Sequence, residues 1–315
     1  MRVKAPMRRT AHPSPRAIAL PVALIVLLSM AACGRLGSSG RPSGGVGGIA
    51  HPAGNELVFR IEYSGGFVPP QFQLSSLPFF SLTGDGRVIM QGAQIDLFPG
   101  PLMPAVQVRK LTEAGVQRVL ELVAASRQFA GSTEWRGAQN FVADASDTVF
   151  TLHAEGRELV VKVYGLGTLA PGMEPPPNFP AAEAAAHQAL QTLVDRLTTI
   201  DQWLPATSWA DAAWHVYEPT ALRLLVRNAD ADPPDDTGIG NTEIEWPVAG
   251  DPAAFGELLN VADLRCGVVT GPDAEAWLAV VSTANQLTRW TADGHKYEVT
   301  VRPVLPDEAE SCPQF

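Results

Sequence analysis

Hydrophobic and polar residues alternate along this chain with two different periods, which predict strands and helices. Apolar residues at every second position predict strands, the first of them over Leu57–Tyr63. Acidic residues followed by glycine separate several such segments, and these pairs accept the positive φ values of a tight hairpin turn. Apolar residues three and four positions apart predict helices, most clearly over Leu111–Ala125, where Thr112 is the expected N-cap.

The later helices are predicted from the same spacing. Asn178 is the expected cap of a helix with the apolar stripe Leu190, Leu193, Val194 and Leu197. A short helix is predicted over Asp251–Leu259. A longer one is predicted from Thr270 to Ala284, with Thr270 and Asp273 as a near capping box.

A helix followed by a hairpin occurs in both halves of the chain. Residues Ala154–Val163 resemble Ala292–Val301, because both place an acidic residue and a glycine before an alternating strand. Hairpins converge on such turns, so coincidence is the alternative to duplication. We predict an α+β fold of two small domains, 55–204 and 205–315. Each would be an antiparallel sheet with a helix packed on one face.

The first 33 residues have the pattern of an export signal. Five basic residues and no acidic one precede an apolar run that starts at Ala17. This run is shorter than the about 20 residues that a membrane span needs. It closes with Met30-Ala31-Ala32-Cys33, which resembles the lipobox of bacterial lipoproteins, although that family usually has leucine in place of Met30.

The lipobox resemblance implies a cellular location for the protein. Residues 1–32 would be a signal peptide, and Cys33 would carry lipid such as palmitate. The mature chain would then sit on the extracytoplasmic face of the cell membrane, held by its lipid anchor. The alternative is a plain signal peptide, cleaved near Ala32, that leaves Cys33 as an ordinary thiol.

Residues 33–54 are predicted to be the lipidated cysteine and a flexible tether. The segment from Gly34 to Gly54 is rich in glycine, serine and proline and has no acidic residue. A flexible chain of that length has an r.m.s. reach of about 25 Å. Ordered structure is expected to begin near Glu56.

The charge of the mature chain narrows the choice of partners. Removing residues 1–32 takes away five of the 23 basic residues and none of the 33 acidic ones, which leaves a net charge of −15. Such a surface repels nucleic acid and anionic lipid headgroups. We therefore expect no nucleic-acid partner, and membrane contact through the lipid alone.

Two cysteines remain after the lipobox, Cys266 and Cys312. An even pair in an exported protein is most simply a disulfide. Two unrelated thiols are the alternative. A zinc site is not indicated, since neither cysteine has another cysteine or histidine at ligand spacing.

The sequence contains none of the common catalytic motifs. It has no Gly-x-Ser-x-Gly elbow, His-Glu-x-x-His motif, P-loop or dinucleotide fingerprint, and we expect no cofactor. One acidic loop is a candidate for a hard cation, with Asp230, Asp232, Asp235 and Asp236. Prolines interrupt it and no glutamate closes it, so a solvated loop without metal is the alternative.

One proline-rich region carries a candidate binding surface formed by Phe67, Phe72, Phe79, Phe98 and Met103. Loops often carry recognition surfaces, and a large exposed apolar patch indicates binding. The alternative is that these side chains cap the sheet core. The segment from Leu57 to about Gly115 resembles uncharacterised lipoproteins of high-GC Gram-positive bacteria, a resemblance that implies no activity.

These observations favour a non-enzymatic, lipid-anchored binding or accessory protein of the cell envelope. Its partner would be an envelope protein or a small ligand. The competing hypothesis is a secreted hydrolase that uses carboxylates which no motif identifies. An enzyme should present a pocket with converging groups of perturbed pKa, whereas a binding protein should present an exposed aromatic patch.

Overall fold

A computed structural model describes residues 48–94, 97–168, 174–233, 242–261 and 263–313, which belong to one compact unit. The predicted signal peptide, Cys33 and most of the predicted tether lie outside these residues. The end of the tether segment is held against the body. The backbone amide of Ile49 donates to Gln117, and that of Ala50 donates to Glu155.

The first sheet has eight strands in the order β5-β7-β6-β1-β2-β3-β4-β8. Their bounds are β1 (Leu57–Ser64), β2 (Phe80–Thr83), β3 (Arg87–Gln91), β4 (Val106–Lys110), β5 (Thr133–Trp135), β6 (Asp147–Ala154), β7 (Arg157–Tyr164) and β8 (His215–Val216). Neighbouring strands are antiparallel, apart from the parallel pair β5 and β7 at one edge. β8 follows the predicted domain boundary at residue 204 yet pairs with β4, and the division into two domains stays a prediction.

Helices cover one face of the first sheet because each has an apolar stripe. They are α2 (Glu113–Ala125) and α3 (Ala181–Thr198), and the short α4 (Ile200–Trp203) follows α3. The apolar spacing predicted over Leu111–Ala125 is buried in α2 as Val116, Val119, Leu120 and Val123, and the predicted stripe Leu190, Leu193, Val194 and Leu197 is buried in α3. They pack on the sheet side chains Phe59, Phe80 and Phe150, which are fully buried.

The start of α2 was correctly predicted, whereas that of α3 was not. Thr112 Oγ1 accepts a hydrogen bond from the Gly115 amide at 3.2 Å, as an N-cap should. Asn178 does not cap α3. It lies in a turn next to prolines, and this turn ends before the helix begins. Pro180 occupies the N-cap position, and Asn178 has a φ of +73°.

The second sheet has six strands in the order β10-β13-β14-β9-β12-β11. Their bounds are β9 (Ala221–Asn228), β10 (Glu243–Glu245), β11 (Glu257–Leu258), β12 (Arg265–Thr270), β13 (Arg289–Ala292) and β14 (His295–Pro303). The helix α5 (Gly271–Val281) packs on one face. There the ring of Trp277 lies 5.0 Å from Trp246 and 4.4 Å from Trp290, and these rings form the centre of the second core. The predicted α+β fold with two sheets and a helix on one face of each is therefore confirmed.

Two local predictions in the second sheet are wrong. The side chain of Thr270 makes no capping hydrogen bond at the start of α5. The segment from Asp251 forms a 3-10 turn (Pro252–Ala254) and then β11, not a helix. Gly256 explains the difference. Its φ is +54°, and a Cβ there would lie 2.0 Å from the carbonyl oxygen of Cys266, so only glycine lets the chain approach β12 this closely and pair with it as β11.

The two similar hairpins form as predicted but occupy different positions in the strand order of their sheets. Glu155-Gly156 and Asp293-Gly294 all have positive φ, as two-residue hairpin turns require. In the first sheet the strand before the turn, β6, lies inside next to β1. In the second sheet the strand after the turn, β14, lies inside next to β9. The strand order thus adds no support for duplication over convergence.

The sequence patterns missed α1 (Pro70–Ser75) and the strands β4, β5, β8 and β12. The first turn of a helix tolerates proline, so Pro70 begins α1 although prolines suggested a loop. No helix among the residues described is both long and apolar enough to cross a membrane.

Candidate functional site

The five residues of the predicted binding surface have different environments. Phe67 is 88% exposed, Phe72 is 60% exposed and Phe98 is 63% exposed. Phe79 packs against the first core, and Met103 packs against the second. The expectation of exposure therefore fits three of the five, and the alternative of core capping fits the other two.

The predicted binding residues also lie on opposite sides of the second sheet. Leu224 on β9 faces α5, whereas Leu225 faces the opposite side and contacts Leu74 of α1. Phe72 belongs to α1. Met103, at the end of the loop that carries Phe98, packs on the α5 side. The five residues thus do not form one surface, although Phe67 and Phe72 are only five positions apart in the chain.

Other exposed apolar side chains join Phe67 and Phe72 at one end of the first sheet. We name this group, which comprises Tyr63, Phe67, Val68, Phe72 and Phe141, the aromatic end surface. Its members are between 39% and 88% exposed. Tyr63 ends the alternating pattern of β1, which is a sequence signal for it. Phe141 had none, because only folding brings its loop to this end of the sheet, where its ring lies 5.9 Å from that of Phe179.

The loops of the aromatic end surface are held by specific contacts. The amide of Phe67 donates to the carbonyl of Asp144 at 3.3 Å. The hydroxyl of Tyr164 donates to the carbonyl of Val142 and accepts from the amide of Ala145. Gly66 has a φ of +85°, and a Cβ there would lie 3.3 Å from the backbone nitrogen of Ser146. The exposed rings therefore stand on a defined backbone.

The chain enters the body at the other end of the same sheet. Ala50 and Glu155 bond through the Ala50 amide to the Glu155 carboxylate and through the Glu155 amide to the Ala50 carbonyl. Glu155 lies in the β6–β7 turn, whereas Asp147 at the start of β6 pairs with Ser64 at the end of β1. An eight-residue strand spans about 25 Å. The entry point and the aromatic end surface are thus separated by the length of β1.

A cluster of buried charges connects the two sheets through the C-terminal segment. Arg60 on β1 bonds Asp307 at 2.6 Å, and Arg302 on β14 forms two bonds with Glu308 at 2.6 and 2.7 Å. Glu62 belongs to the same strand as Arg60 and is half-buried. We name these five residues the inter-sheet junction.

The pKa values of the junction carboxyls shift in opposite directions. Burial raises the pKa of Glu62 and that of Asp307, despite the attraction of Arg60. Burial alone would also raise the pKa of Glu308, but hydrogen bonds from Arg302 and the charges of Arg302 and Arg60 outweigh it and lower that pKa. Asp307 Oδ1 has no hydrogen-bond partner among the residues described.

The junction borders a cleft of about 310 Å³ lined in part by Arg87, Tyr217 and Glu308. Tyr217 donates its hydroxyl proton to the Val304 carbonyl, and burial raises its pKa to about 12, so it stays protonated. Glu308 is held by Arg302. Tyr217, Glu308 and Arg87, which is paired with Asp85, therefore already have partners within the protein, as in a structural ion-pair network.

The acidic-loop candidate has its described oxygens engaged. Asp230 accepts hydrogen bonds from the Lys296 amide and from His295, and these bonds lower its pKa to about 2. Asp232 binds Arg227 through both oxygens. Asp235 and Asp236 lie outside the described residues. No group of three acidic, histidine or cysteine side chains suited to a metal ion occurs in the part of the chain that is described.

The sulfur atoms of Cys266 and Cys312 lie at bonding distance, as predicted, with their Cα atoms 6.0 Å apart. Cys266 is on β12 and Cys312 is in the C-terminal segment that carries Asp307 and Glu308. Next to Cys312, the carbonyl oxygen of Ser311 accepts a hydrogen bond from Arg223. The disulfide thus ties the C-terminal segment of the inter-sheet junction to the second sheet.

The aromatic end surface and the inter-sheet junction are the two features that could serve a function. The first offers apolar contact area, and the second offers two buried arginines that are already paired with carboxylates. Similarity to other proteins does not decide between them. No protein-family model, curated protein or solved structure matches this chain, so its function rests on its residues and their geometry.

Proposed function

We propose that this protein is a lipid-anchored, extracytoplasmic binding or accessory protein of the cell envelope, and that it binds through the aromatic end surface. The cellular location rests on the sequence, in which a basic segment, an apolar run and Met30-Ala31-Ala32-Cys33 follow one another. The lipid on Cys33 would hold the chain to the membrane. The acidic mature chain adds no charge attraction to anionic lipid.

The observation that carries the binding role is the aromatic end surface itself. Five exposed apolar side chains lie at this end of the first sheet, and the loops that carry Phe67 and Phe141 are fixed by Tyr164 and by the bond from Phe67 to Asp144. Clustered aromatic side chains are enriched at interfaces, and a fixed backbone lowers the entropy lost on binding. Isolated exposed phenylalanines would need no such explanation.

The position of the surface also supports this role. The tether reaches the body beside Glu155, while Phe67 lies beyond the far end of β1. A lipid-anchored chain would then present its aromatic end away from the anchored end. This orientation suits a protein that engages a partner at a distance from its own membrane.

The test is capture of partners from cell envelopes with the full chain as bait. The double variant Phe67→Ser, Phe72→Ser is compared with Phe98→Ser, a control because Phe72 and Phe98 are 60% and 63% exposed on different parts of the molecule. We expect the same partner with the wild type and the control, and at least about tenfold less with the double variant, since aromatic anchors dominate interface energies. Equal recovery by all three would remove the surface from the proposal.

The secreted hydrolase remains the second candidate because of the raised pKa values of Glu62 and Asp307. Such carboxyls can act as general acids. Turnover in a hydrolase panel that Glu62→Gln and Asp307→Asn both abolish, together with no captured partner, would reverse the ranking.

A further inference from the structure

The helix α3 carries a histidine that is buried without a hydrogen bond. His187 is 3% exposed, and neither of its ring nitrogens has a hydrogen-bond partner among the described residues. Buried polar groups without a partner are rare in native proteins, because the loss of water costs free energy. A carboxylate lies close by, since Glu183 one turn earlier on α3 places its Oε1 3.8 Å from His187 Nε2. That distance is too long for a hydrogen bond, so the imidazole stays unbonded.

Glu183 and His187 both contact segments outside α3. The carboxylate of Glu183 accepts a hydrogen bond from the amide of Gly137, at the start of the 3-10 turn that precedes Phe141. The ring of His187 lies 5.6 Å from that of Phe179, edge to face, and the ring of Phe179 lies 5.9 Å from that of Phe141. A row of packed rings thus connects His187 with a residue of the aromatic end surface.

A proton on His187 would have a single compensating charge. Among the described residues, only the carboxylate of Glu183 acts on the imidazole electrostatically. The charged groups next to the turn pair with one another, because Arg136 lies 3.1 Å from Asp147 and 3.6 Å from Glu134. Burial outweighs the attraction of Glu183 and lowers the pKa of His187.

We propose that Glu183 and His187 form an acid-sensitive latch, which holds the turn before Phe141 and the segment of Phe179 against α3 while the imidazole is neutral and releases them when it is protonated. In the closed arrangement the neutral ring packs against Phe179. Opening exposes the ring to water, which solvates the imidazolium. Acid thus favours the open arrangement, in which Phe141 loses its contact with Phe179. This inference does not depend on the proposed binding function.

Protonation of His187 is linked to opening of the segments that cover it. The opened chain binds the proton with the ordinary histidine pKa of 6.5, whereas the folded site binds it more weakly. The opening equilibrium therefore rises as the pH falls below 6.5 and stops rising below the lowered pKa of the folded state. At a pH of about 5.5 the rise cannot exceed about tenfold, because one pH unit changes the protonation ratio of the opened histidine tenfold.

Hydrogen exchange of the full chain at pH values of about 7.5 and about 5.5, corrected for intrinsic exchange rates, measures this opening. The reporters are amides with internal hydrogen bonds, namely those of Gly137, Phe141, Val142 and Phe179. We expect their opening to rise about three- to tenfold in acid. His187→Leu should abolish the rise, because leucine is apolar and does not titrate.

The matched control is His153→Leu. His153 Nε2 lies at the same distance of 3.8 Å from a carboxylate, that of Glu158, but its side chain is 32% exposed. Water already solvates an imidazolium at that position. The control variant should therefore keep the acid response of the wild type at the four reporter amides.

Glu183→Gln tests the pair while the histidine stays in place. Glutamine still offers an oxygen to the Gly137 amide but lacks the charge that favours the imidazolium. The pKa of His187 should fall further, and the acid rise should approach the tenfold limit. NMR titration of the His187 ring measures its pKa directly in the wild type and in this variant, whether or not His187→Leu folds. An unchanged pKa would reject Glu183 as a member of the latch.

Three results would overturn the latch as a whole. The first is a His187 pKa at or above 6.5 in the folded wild type. The second is an opening equilibrium that does not rise in acid. The third is a rise that His187→Leu leaves unchanged, which would assign the acid response to other groups. Partner capture tests the binding function separately, so failure of the latch leaves that proposal in place.

Discussion

Arg60 Nη2 and Asp307 Oδ2 lie 2.6 Å apart although 247 positions separate the two residues in the chain. Arg60 belongs to the first sheet. The residue after Asp307, Glu308, binds Arg302 of the second sheet. Two consecutive carboxylates of the C-terminal segment thus neutralise one buried arginine from each sheet, which makes this short segment the electrostatic connection between them.

Loss of the Glu308 carboxylate should destabilise the protein at neutral pH. Glu308→Gln leaves Arg302, whose side chain is 5% exposed, without its bidentate partner. Removing one member of a buried pair typically costs about 3–5 kcal/mol, because the other charge stays buried. Urea unfolding measures this change. Glu158→Gln is the control, since Glu158 is 66% exposed and should change stability little.

The destabilisation by Glu308→Gln should also depend on pH. The pKa of Glu308 is lowered in the folded state, so its contribution is complete above the ordinary glutamate pKa of 4.5 and is lost as the pH falls toward the lowered folded pKa. The stability gap between wild type and variant should therefore shrink in acid. A gap that stays constant down to the acid unfolding range would contradict a charged Glu308 in the folded state.

The raised pKa values of Glu62 and Asp307 act with the opposite sign. The folded state binds these two protons more tightly than the unfolded chain, so falling pH relieves part of the cost of burying the two carboxylates. Asp307→Asn removes one of them. Because the variant lacks this relief, it should lose stability more steeply in acid than the wild type, with Arg60 still close to Glu308, whose Oε1 lies 3.6 Å away. Urea unfolding of both proteins across the acid range measures the difference.

Reduction of the disulfide should loosen the junction as well as the C-terminus. The cross-link joins residues 46 positions apart, and the chain-entropy model assigns about 4 kcal/mol to a loop of that length. Hydrogen exchange should rise at Val304 and Leu305, whose segment the bond holds in place. Reductant should have no effect on the double variant Cys266→Ser, Cys312→Ser. If both cysteines of the exported protein alkylate without reductant, the bond is absent.

The two threonines that precede helices should respond differently to substitution. Thr112→Ala removes a hydrogen bond to the Gly115 amide and should cost about 1 kcal/mol, as N-cap losses do. Thr270→Ala removes no capping bond and should cost much less. Thermal unfolding of both variants provides the comparison. An equal loss would contradict the difference in cap geometry.

Cys33→Ser should release the protein from membranes. The cysteine would be the only acyl acceptor of the lipobox, and the predicted mature chain is too acidic to adhere by charge. Membrane fractionation of the variant tests this expectation. Ser38→Ala is the matched control and should stay membrane-bound. Retention of Cys33→Ser at the wild-type level would reject the lipoprotein hypothesis.

Local contacts explain which predictions succeeded. The α2 stripe, the Thr112 cap and the Glu155-Gly156 and Asp293-Gly294 turns involve residues only a few positions apart, so the sequence contains all the partners. The wrong predictions came from local sequence patterns, where contacts with residues distant in the chain determined the structure instead. Gly256 is an example, because its close approach to β12 at Cys266 lets the segment pair as β11 in place of the expected helix.

The sequence by itself determined the strands and helices with strong periodicity and the pairing of Cys266 with Cys312. The export signal and the location that it implies stay predictions. Only the tertiary structure decided which side chains meet. It separated Phe72 from Phe98 across the second sheet, placed Asp144 beside Phe67, and buried Arg60 against Asp307. The physical reason is that hydrophobic period reports which face of one element is buried, whereas the partner of that face depends on how elements distant in the chain pack together.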